Sequence, residues 1–256
     1  VVYPVEVTFN GNDNYNMLTT NAVFNVVKAN STINIETQSS IKVGDTQVIN
    51  ITVDNANATG KVIVNVGGEN HTVNITKGFG QLKLDNIAGG NYTINAFYEG
   101  DGNLTGSWAS MDFEVEKLDA DININITNST AGNKQIIEVT VPDNATGQVL
   151  FDIGDNHYYA NVTGGKAKLE LNTLPADDYT VVVTYLGDEN YTGKSDSASF
   201  KVTKNNSTVN ITAQTISCGE NEVITFTVPE DATGNMTVVV NGKTYTVAVD
   251  GGIGNL

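Results

Sequence analysis

The chain has 256 residues, with 13 Lys and Arg against 29 Asp and Glu, so its formal charge is −16. Such an acidic chain cannot offer the basic face that binds nucleic acid or an anionic membrane. Only 16% of the residues are charged, and Asn and Thr supply the remaining polarity, which is typical of turn-rich β structure. No run of about 18 apolar residues predicts a membrane span, so we expect no membrane contact in this segment.

One sequence pattern returns along the whole chain. Ala-Thr-Gly occurs at 58–60, 145–147 and 232–234, in steps of 87 residues. A second motif reads FNGNDNYN at 9–16, YEGDGNLT at 98–105 and YLGDENYT at 185–192, and each copy is followed by a Phe, at positions 24, 113 and 200. The period exceeds the roughly 20–50 residues of solenoid units and fits independent domains of about 100 residues.

In chain order, the pattern predicts four parts with boundaries near Asn30, Leu118 and Asn205. Residues 1–29 are the C-terminal part of one repeat, 30–117 and 118–204 are complete repeats, and 205–256 are the N-terminal part of a fourth. Because the chain starts without Met and ends in mid-pattern, we expect a segment of a longer protein.

Apolar and polar residues alternate within each repeat, as in half-buried strands. In the 118–204 repeat the alternation predicts seven strands, at about 121–127, 134–142, 148–153, 157–162, 166–172, 178–186 and 197–204. Seven short antiparallel strands indicate an immunoglobulin-like sandwich. An odd number of strands makes the chain enter at one end and leave at the other. The predicted fold is therefore all-β, with tandem seven-stranded immunoglobulin-like β-sandwiches stacked end to end in a rod.

Two tyrosines stand at a recurring place before the sixth strand. Tyr179 follows Leu174 by five residues, and Tyr92 follows Ile87 by the same interval. This spacing predicts a tyrosine corner, in which the hydroxyl bonds back to the backbone of the preceding loop. An ordinary half-buried Tyr is the alternative.

The motifs resemble a known family. Ala-Thr-Gly-x-Val, Gly-Gly-x-Ala-x-Leu at 164–169, Leu-x-Ala-x-x-Tyr-Thr at 174–180 and Tyr-x-Gly-Asp-x-Asn-Tyr at 185–191 are similar to the third group of bacterial Ig-like domains. In its acidic, Asn/Thr-rich, Cys-poor form the chain resembles adhesin-like surface proteins of methanogenic archaea. The resemblance implies an extracellular stalk or fibre with roles in adhesion or cell-cell contact.

Glycosylation is the most specific chemical signal. About 16 Asn-x-Ser/Thr sequons occur where about five or six are expected by chance. Several recur in phase with the repeat, in turns or on outward strand faces, and the predicted sites are Asn57, Asn74, Asn103, Asn144, Asn161, Asn190 and Asn206. The alternative is that Asn and Thr simply build good turns and strand faces.

The turns after Asp101 and Asp188 imitate the first half of a calcium loop. The second half fails, because the twelfth position is Asp112 or Ser199 and not a bidentate Glu. We therefore expect hairpin turns capped by their Asp, with no metal and no cofactor.

No catalytic set can be assembled from the sequence. The two histidines, His71 and His157, have no nucleophile nearby in any motif, and we predict no catalytic residue and no enzyme. Lys28, Lys117 and Lys204 end successive repeats and are interpreted as solvated linker lysines. The single thiol, Cys218, aligns with Ala131 and Gly44 and is interpreted as a turn substitution.

The function predicted from these features is a structural and adhesive cell-surface protein, extracellular, with other surface proteins or glycans as partners and no nucleic acid. One alternative is a filament subunit that polymerises by strand complementation between copies of itself. Another is a carbohydrate- or protein-binding module, which would need clustered exposed aromatics. The only Trp, Trp108, is expected in a turn of one repeat.

Overall fold

The computed structural model describes all of residues 1–256. It contains 23 β-strands and no helix, which confirms the all-β prediction. The chain therefore forms no helix with the length and apolarity that a membrane crossing requires.

Residues 30–117 form two sheets that enclose one core. The strands are β3 (Ile33–Glu36), β4 (Ser40–Lys42), β5 (Gln47–Val53), β6 (Gly60–Val66), β7 (Glu69–Ile75), β8 (Phe79–Leu84), β9 (Gly90–Tyr98) and β10 (Ser107–Glu116). One sheet has the order β3-β5-β8 and the other β4-β10-β9-β6-β7. Side chains from both sheets fill the core, including Ile49, Val64, Ile94 and Phe113. The period-two pattern thus places every second side chain between the sheets.

Residues 118–204 repeat this strand order. The strands are β11 (Asn123–Ile126), β12 (Ser129–Thr130), β13 (Gln135–Thr140), β14 (Gln148–Ile153), β15 (Asn156–Asn161), β16 (Lys166–Leu171), β17 (Asp177–Tyr185) and β18 (Lys194–Thr203). Their sheets are β11-β13-β16 and β12-β18-β17-β14-β15. The shared order shows tandem β-sandwich folds.

The prediction of seven strands is wrong by one, because the first strand is broken in two. β11 and β12 lie in different sheets, and β12 pairs in parallel with β18. A buried glutamine holds the break: Gln135 Nε2 donates to the carbonyl oxygen of Thr127 at 2.9 Å. Gln47 does the same for Gln38 in the preceding repeat, also at 2.9 Å.

The two ends of the chain carry fewer strands. Residues 1–29 form one hairpin of β1 (Val2–Phe9) and β2 (Leu18–Asn25). Residues 205–256 hold β19 (Asn210–Thr212), β20 (Thr225–Thr227), β21 (Gly234–Val240), β22 (Lys243–Val249) and β23 (Ile253–Asn255). Their sheets are β19-β20-β23 and β21-β22.

The chain divides into two compact units. Unit 1 comprises Val1–Asn125, Glu138–Leu169 and Val182–Ser197, and it contains the hairpin and the whole 30–117 sandwich. Unit 2 comprises Ile126–Ile137, Glu170–Val181 and Ala198–Leu256, and it contains all strands of the fourth repeat. The predicted boundaries at 29/30, 117/118 and 204/205 stay a prediction.

The tyrosine corners are confirmed. Tyr92 Oη donates to the carbonyl oxygen of Ala88, and Tyr179 Oη to that of Pro175, each at 3.0 Å. Each of these rings also stacks on the recurring Phe of its repeat. The ring centroids of Tyr92 and Phe113 are 5.3 Å apart, and those of Tyr179 and Phe200 are 5.2 Å apart.

The period is not constant along a repeat, and this corrects the alignment of Cys218. Buried Ile49 and Ile137 occupy equivalent strands 88 residues apart, whereas the Ala-Thr-Gly turns are 87 apart. One residue is therefore deleted between them. Gly44 is equivalent to Gly132 and not to Ala131, and the exposed Cys218 precedes the corresponding Gly219.

Candidate functional site

The two recurring motifs form one structure, which we call the paired turns (58–60 with 100–104, and 145–147 with 187–191). In the later repeat, Thr146 N donates to Asp188 Oδ2 at 2.7 Å. The other oxygen of Asp188 accepts from Asn190 N and Tyr191 N, each at 2.8 Å. One carboxylate thus ties the Ala-Thr-Gly turn to the Gly-Asp turn and caps its own turn.

The earlier repeat has the same arrangement around Asp101. Thr59 N donates to Asp101 Oδ2 at 3.0 Å, and Asn103 N and Leu104 N donate to Oδ1 at 2.8 Å each. Beneath the turn, buried Tyr98 donates its hydroxyl to the carbonyl oxygen of Thr59 at 2.6 Å. The hydrogen bonds of the Asp carboxylate therefore recur in both repeats, whereas the tyrosine bond is present in the earlier one.

These hydrogen bonds shift the acidities of both carboxyl groups. The backbone N–H of Asn103, followed by that of Thr59, lowers the pKa of Asp101 to about 2. Desolvation works to raise the pKa of Asp188, but the N–H groups of Thr146, Asn190 and Tyr191 outweigh it and bring the pKa to about 2. Both side chains are ionised at neutral pH.

The carboxylates of the paired turns face backbone donors. No group of three or more His, Cys, Asp or Glu side chains in the structure is placed to hold a metal ion. Asp101 and Asp188 each use both oxygens to accept from N–H groups, which is the geometry of an Asp-capped turn.

Glycine is required where the turns meet. Gly147 has φ +84°, and a Cβ there would lie 2.8 Å from the carbonyl oxygen of Gly187. Gly60 has φ +104° and would meet Gly100 in the same way at 2.8 Å. The Gly of Ala-Thr-Gly therefore lets two backbones approach closely. Sequence analysis missed this pairing, although Thr59 to Asp101 and Thr146 to Asp188 are both 42 residues apart.

The backbone at the junction that precedes each complete repeat pairs with the Gly-Asp turn of that repeat. Ala29 N donates to Asn103 O, and Thr105 N donates to Ala29 O, both at 2.8 Å. Leu118 makes the equivalent pair with Asn190 and Thr192, both at 2.9 Å. The backbone thus returns to regular pairing two residues after β10 ends at Glu116.

Lys117 lies between these pairings and is more than a solvated lysine. Its Nζ donates to the carbonyl oxygen of Asp188, and Gly89 N donates to Glu189 O at 3.0 Å. Both contacts lie inside unit 1 and join the 30–117 repeat to the next Gly-Asp turn. Lys28 and Lys204 are exposed, as interpreted.

Comparison with known families agrees with this repeat structure. Residues 122–205 match the bacterial Ig-like domain (group 3). The match coincides with the predicted repeat 118–204 and supports Ig-like repeats. No curated protein matches the chain.

Three solved structures that are similar to this chain are the following. The fibronectin(III)-like modules of Clostridium thermocellum CbhA are 14% identical over 68% of this chain and 95% of that chain, with a TM-score of 0.30. The immunoglobulin domains 1–5 of Sidekick-1 are 13% identical over 80% and 45%, with a TM-score of 0.30. Trypsin-activated alpha-2-macroglobulin from Escherichia coli is 13% identical over 91% and 23%, with a TM-score of 0.28.

The predicted glycosylation sites lie at or near the surface of the Ig-like repeats. Asn190 is half-buried, and the exposed ones are Asn57, Asn74, Asn103, Asn144, Asn161 and Asn206. Two of them are hydrogen-bonded through Oδ1: Asn144 accepts from Tyr191 Oη at 2.6 Å, and Asn161 accepts from Gln148 Nε2 at 3.0 Å. In both bonds the donor binds Oδ1 and not Nδ2, which is the atom that a glycan would join. Glycan occupancy stays a prediction.

Trp108 lies on strand β10 and not in a turn, which corrects the sequence interpretation. It stands directly opposite Phe97 on β9. Both aromatic side chains are on the outer face, where Trp108 is 77% and Phe97 51% exposed. The pair forms a small aromatic cluster that sequence analysis did not find, because strand register is needed to bring the two together.

Proposed function

We propose that this chain is a structural and adhesive segment of a cell-surface protein, in which Ig-like repeats act as an extracellular stalk or fibre. A structural or adhesion-type role is consistent with the Ig-like family match, and such domains commonly occur in extracellular proteins. The finer proposal extends to the archaeal adhesin-like arrays that the motifs resemble. It includes no catalytic role and no cofactor, and its partners are other surface proteins or glycans.

The observation that carries the proposal is the short junction between repeats. Only Lys117 separates the last residue of β10 from Leu118, which is already paired with the next Gly-Asp turn. A junction with so little free chain transmits tension from one sandwich to the next without first extending a linker. A spacer that transmits force requires such a junction, and a flexible tether would lack it.

Single-molecule force spectroscopy tests the spacer role. When the chain is stretched from its ends, we expect separate rupture events, each releasing about 87 residues, or about 300 Å of extended chain before the folded length is subtracted. A variant with a ten-residue Gly-Ser insertion after Lys117 is the matched control, and it should add slack before the first rupture. Smooth extension without rupture events would contradict the proposal.

A sugar coat is part of the proposal, because the sequons recur on exposed positions. Glycopeptide mass spectrometry of protein from its native source should find added mass at Asn57, Asn74, Asn144 and Asn161. Protease treatment of intact cells should release the same peptides if the chain is on the surface. Unmodified peptides at all four sites would contradict the proposed sugar coat. Protection of the chain from the protease would contradict the proposed surface location.

Strand complementation is a second candidate, favoured by one specific observation. In the 30–117 repeat, Tyr98 and Ile94 are fully buried, whereas their counterparts Phe9 and Val5 on the hairpin are 50% and 38% exposed. The apolar face of the hairpin therefore corresponds to a face that is packed in the complete repeat, and no residue among these 256 packs against it. Residues of the same polypeptide or the 205–256 strands of a second copy can cover that face.

The repeat specifies the pairing that a second copy would make. Val62 pairs with Tyr98 and Val66 with Ile94 in the complete sandwich, so Met236 would pair with Phe9 and Val240 with Val5. Analytical ultracentrifugation of the 256-residue chain should then show concentration-dependent association that Val7→Glu abolishes and Thr8→Glu, on the opposite face, preserves. A monomer at all concentrations would exclude exchange between copies.

A further inference from the structure

We propose that the outer face of the β6-β9-β10 sheet binds a neutral oligosaccharide through Phe97 and Trp108. This inference does not rest on the stalk function, since a spacer needs no such surface. It concerns the aromatic pair and the amide side chains beside it, all within residues 61–112.

The aromatic pair departs from the pattern of the repeat. In the hairpin of residues 1–29, the same positions hold Thr8 and Thr19, whose hydroxyls share a hydrogen bond of 2.9 Å. In the 118–204 repeat they hold Thr184 and Ser195, which share one of 2.8 Å. Two strands of this kind therefore pair well with small hydroxyl residues, and folding does not require Phe97 and Trp108.

Large exposed rings lower solubility, and folding does not explain why Phe97 and Trp108 lie together on one face. A binding function would explain them. Trp108 on β10 and Phe97 on β9 form a row across the sheet that continues onto β6, where half-buried Ile63 stands opposite Phe97. Three neighbouring strands about 4.8 Å apart make a flat apolar row of about 10 Å. This length matches two consecutive pyranose rings, whose apolar C–H faces pack on the electron-rich faces of aromatic rings.

The adjacent row on the same face is made of uncharged polar side chains. Ser110 stands opposite Asn95, Asn95 opposite Asn65, and Asn65 opposite Asn70. Asn65 Nδ2 donates to Asn70 Oδ1 at 2.8 Å, which fixes the orientation of both amides. Amides and hydroxyls offer both donors and acceptors, as the hydroxyl groups of a sugar require.

The charge of this face selects the kind of sugar. Neither row contains a charged side chain, and the rows that flank them carry Lys61 beside Glu99 on one side and Asp112 opposite Thr93 on the other. The whole chain carries a formal charge of −16. An acidic polysaccharide would be repelled by the net negative charge of the chain, and neither row offers a cation to its carboxylate or sulfate groups. A neutral hexose or pentose polymer suits both rows, with its rings on the aromatic row and its hydroxyls on the amide row.

Trp108 is the only Trp of the chain, so its fluorescence reports on this site alone. The probes are cello-, xylo-, manno-, laminari- and chitohexaose, added to the full 256-residue chain made in a host without N-glycosylation. We expect at least one hexasaccharide to shift the Trp108 emission to the blue and to protect it from acrylamide quenching. Phe97→Thr should weaken the binding of that probe about tenfold.

The double variant Phe97→Thr/Trp108→Ser restores the hydroxyl pair of the neighbouring repeat and should fold normally. Affinity gel electrophoresis in a matching neutral polysaccharide should retard the wild type and not this variant. Tyr159→Ser, which removes a 60% exposed ring from β15, is the matched control and should be retarded like the wild type. The inference is overturned if no probe changes Trp108, if the double variant still binds, or if only a protein partner depends on Trp108.

Discussion

At the residue scale, the most informative side chains are Asp101 and Asp188. Each accepts backbone N–H groups from two turns that are distant in sequence. Their ionised form is therefore a structural element of the repeat. This explains why the Asp recurs together with the Ala-Thr-Gly motif.

The depressed pKa values predict a pH dependence of stability. Because folding lowers both pKa values from 3.8 to about 2, the carboxylates stabilise the fold above about pH 4 and lose that effect as pH falls towards 2. In urea titrations, Asp101→Asn/Asp188→Asn should be less stable than wild type at pH 6, with a difference that shrinks by pH 2.5. Asp143→Asn, at an exposed position, is the control. A difference independent of pH would contradict this role.

The tyrosine corner gives a second prediction at the same scale. Tyr179→Phe keeps the ring stacked on Phe200 and removes the hydrogen bond to Pro175. We expect the free energy of unfolding to fall by about 1 kcal/mol. Tyr159→Phe, on an exposed side chain, should change it by less than about 0.5 kcal/mol. Equal effects of the two variants in chemical denaturation would show that the corner bond does not stabilise the fold.

At the element scale, the paired turns lie where strands β6 and β14 begin. β14 starts one residue after Gly147, and the carbonyl oxygen of Gly187 lies against that glycine. Gly147→Ala meets two penalties, a positive φ and a Cβ 2.8 Å from an oxygen. We expect a loss of about 2–3 kcal/mol in thermal or urea unfolding.

Gly154 separates these two penalties. It also has a positive φ, +59°, but a Cβ there would meet nothing within 4 Å. Gly154→Ala should therefore cost only about 1 kcal/mol. If both variants lost the same amount, the close approach of the paired turns would not contribute to stability.

At the scale of the whole molecule, we expect a substitution in the core of one complete repeat to destabilise that repeat and not its neighbour. Ile94 is fully buried in the core of residues 33–115. Ile94→Ala removes that packing and should cost about 2–5 kcal/mol. Hydrogen exchange measured by mass spectrometry should then show lost protection in peptides from 33–116 and little change in peptides from 121–204.

Val181 is the buried counterpart of Ile94 in the next repeat. Val181→Ala should produce the reciprocal result, with lost protection confined to 121–204. Together the two variants test the predicted boundary at 117/118. Protection lost in both repeats from either variant would show one cooperative unit and would refute that boundary.

The sequence by itself determined the β class, the repeat and the positions of most strands. These features follow from local physics: side chains alternate across a strand with period two, and glycine or Asx residues form the turns. β14 was predicted at 148–153 and spans Gln148–Ile153, and both tyrosine corners were predicted from their spacing.

Only the tertiary structure decided which distant groups meet. The contact of Thr146 with Asp188, the break between β11 and β12 held by Gln135, and the pairing of Phe97 with Trp108 all depend on strand register. Register is fixed by packing two sheets around a common core, so a period along the chain does not reveal it. The sequence therefore specified the repeat, and the folded sheets created its networks and its aromatic surface.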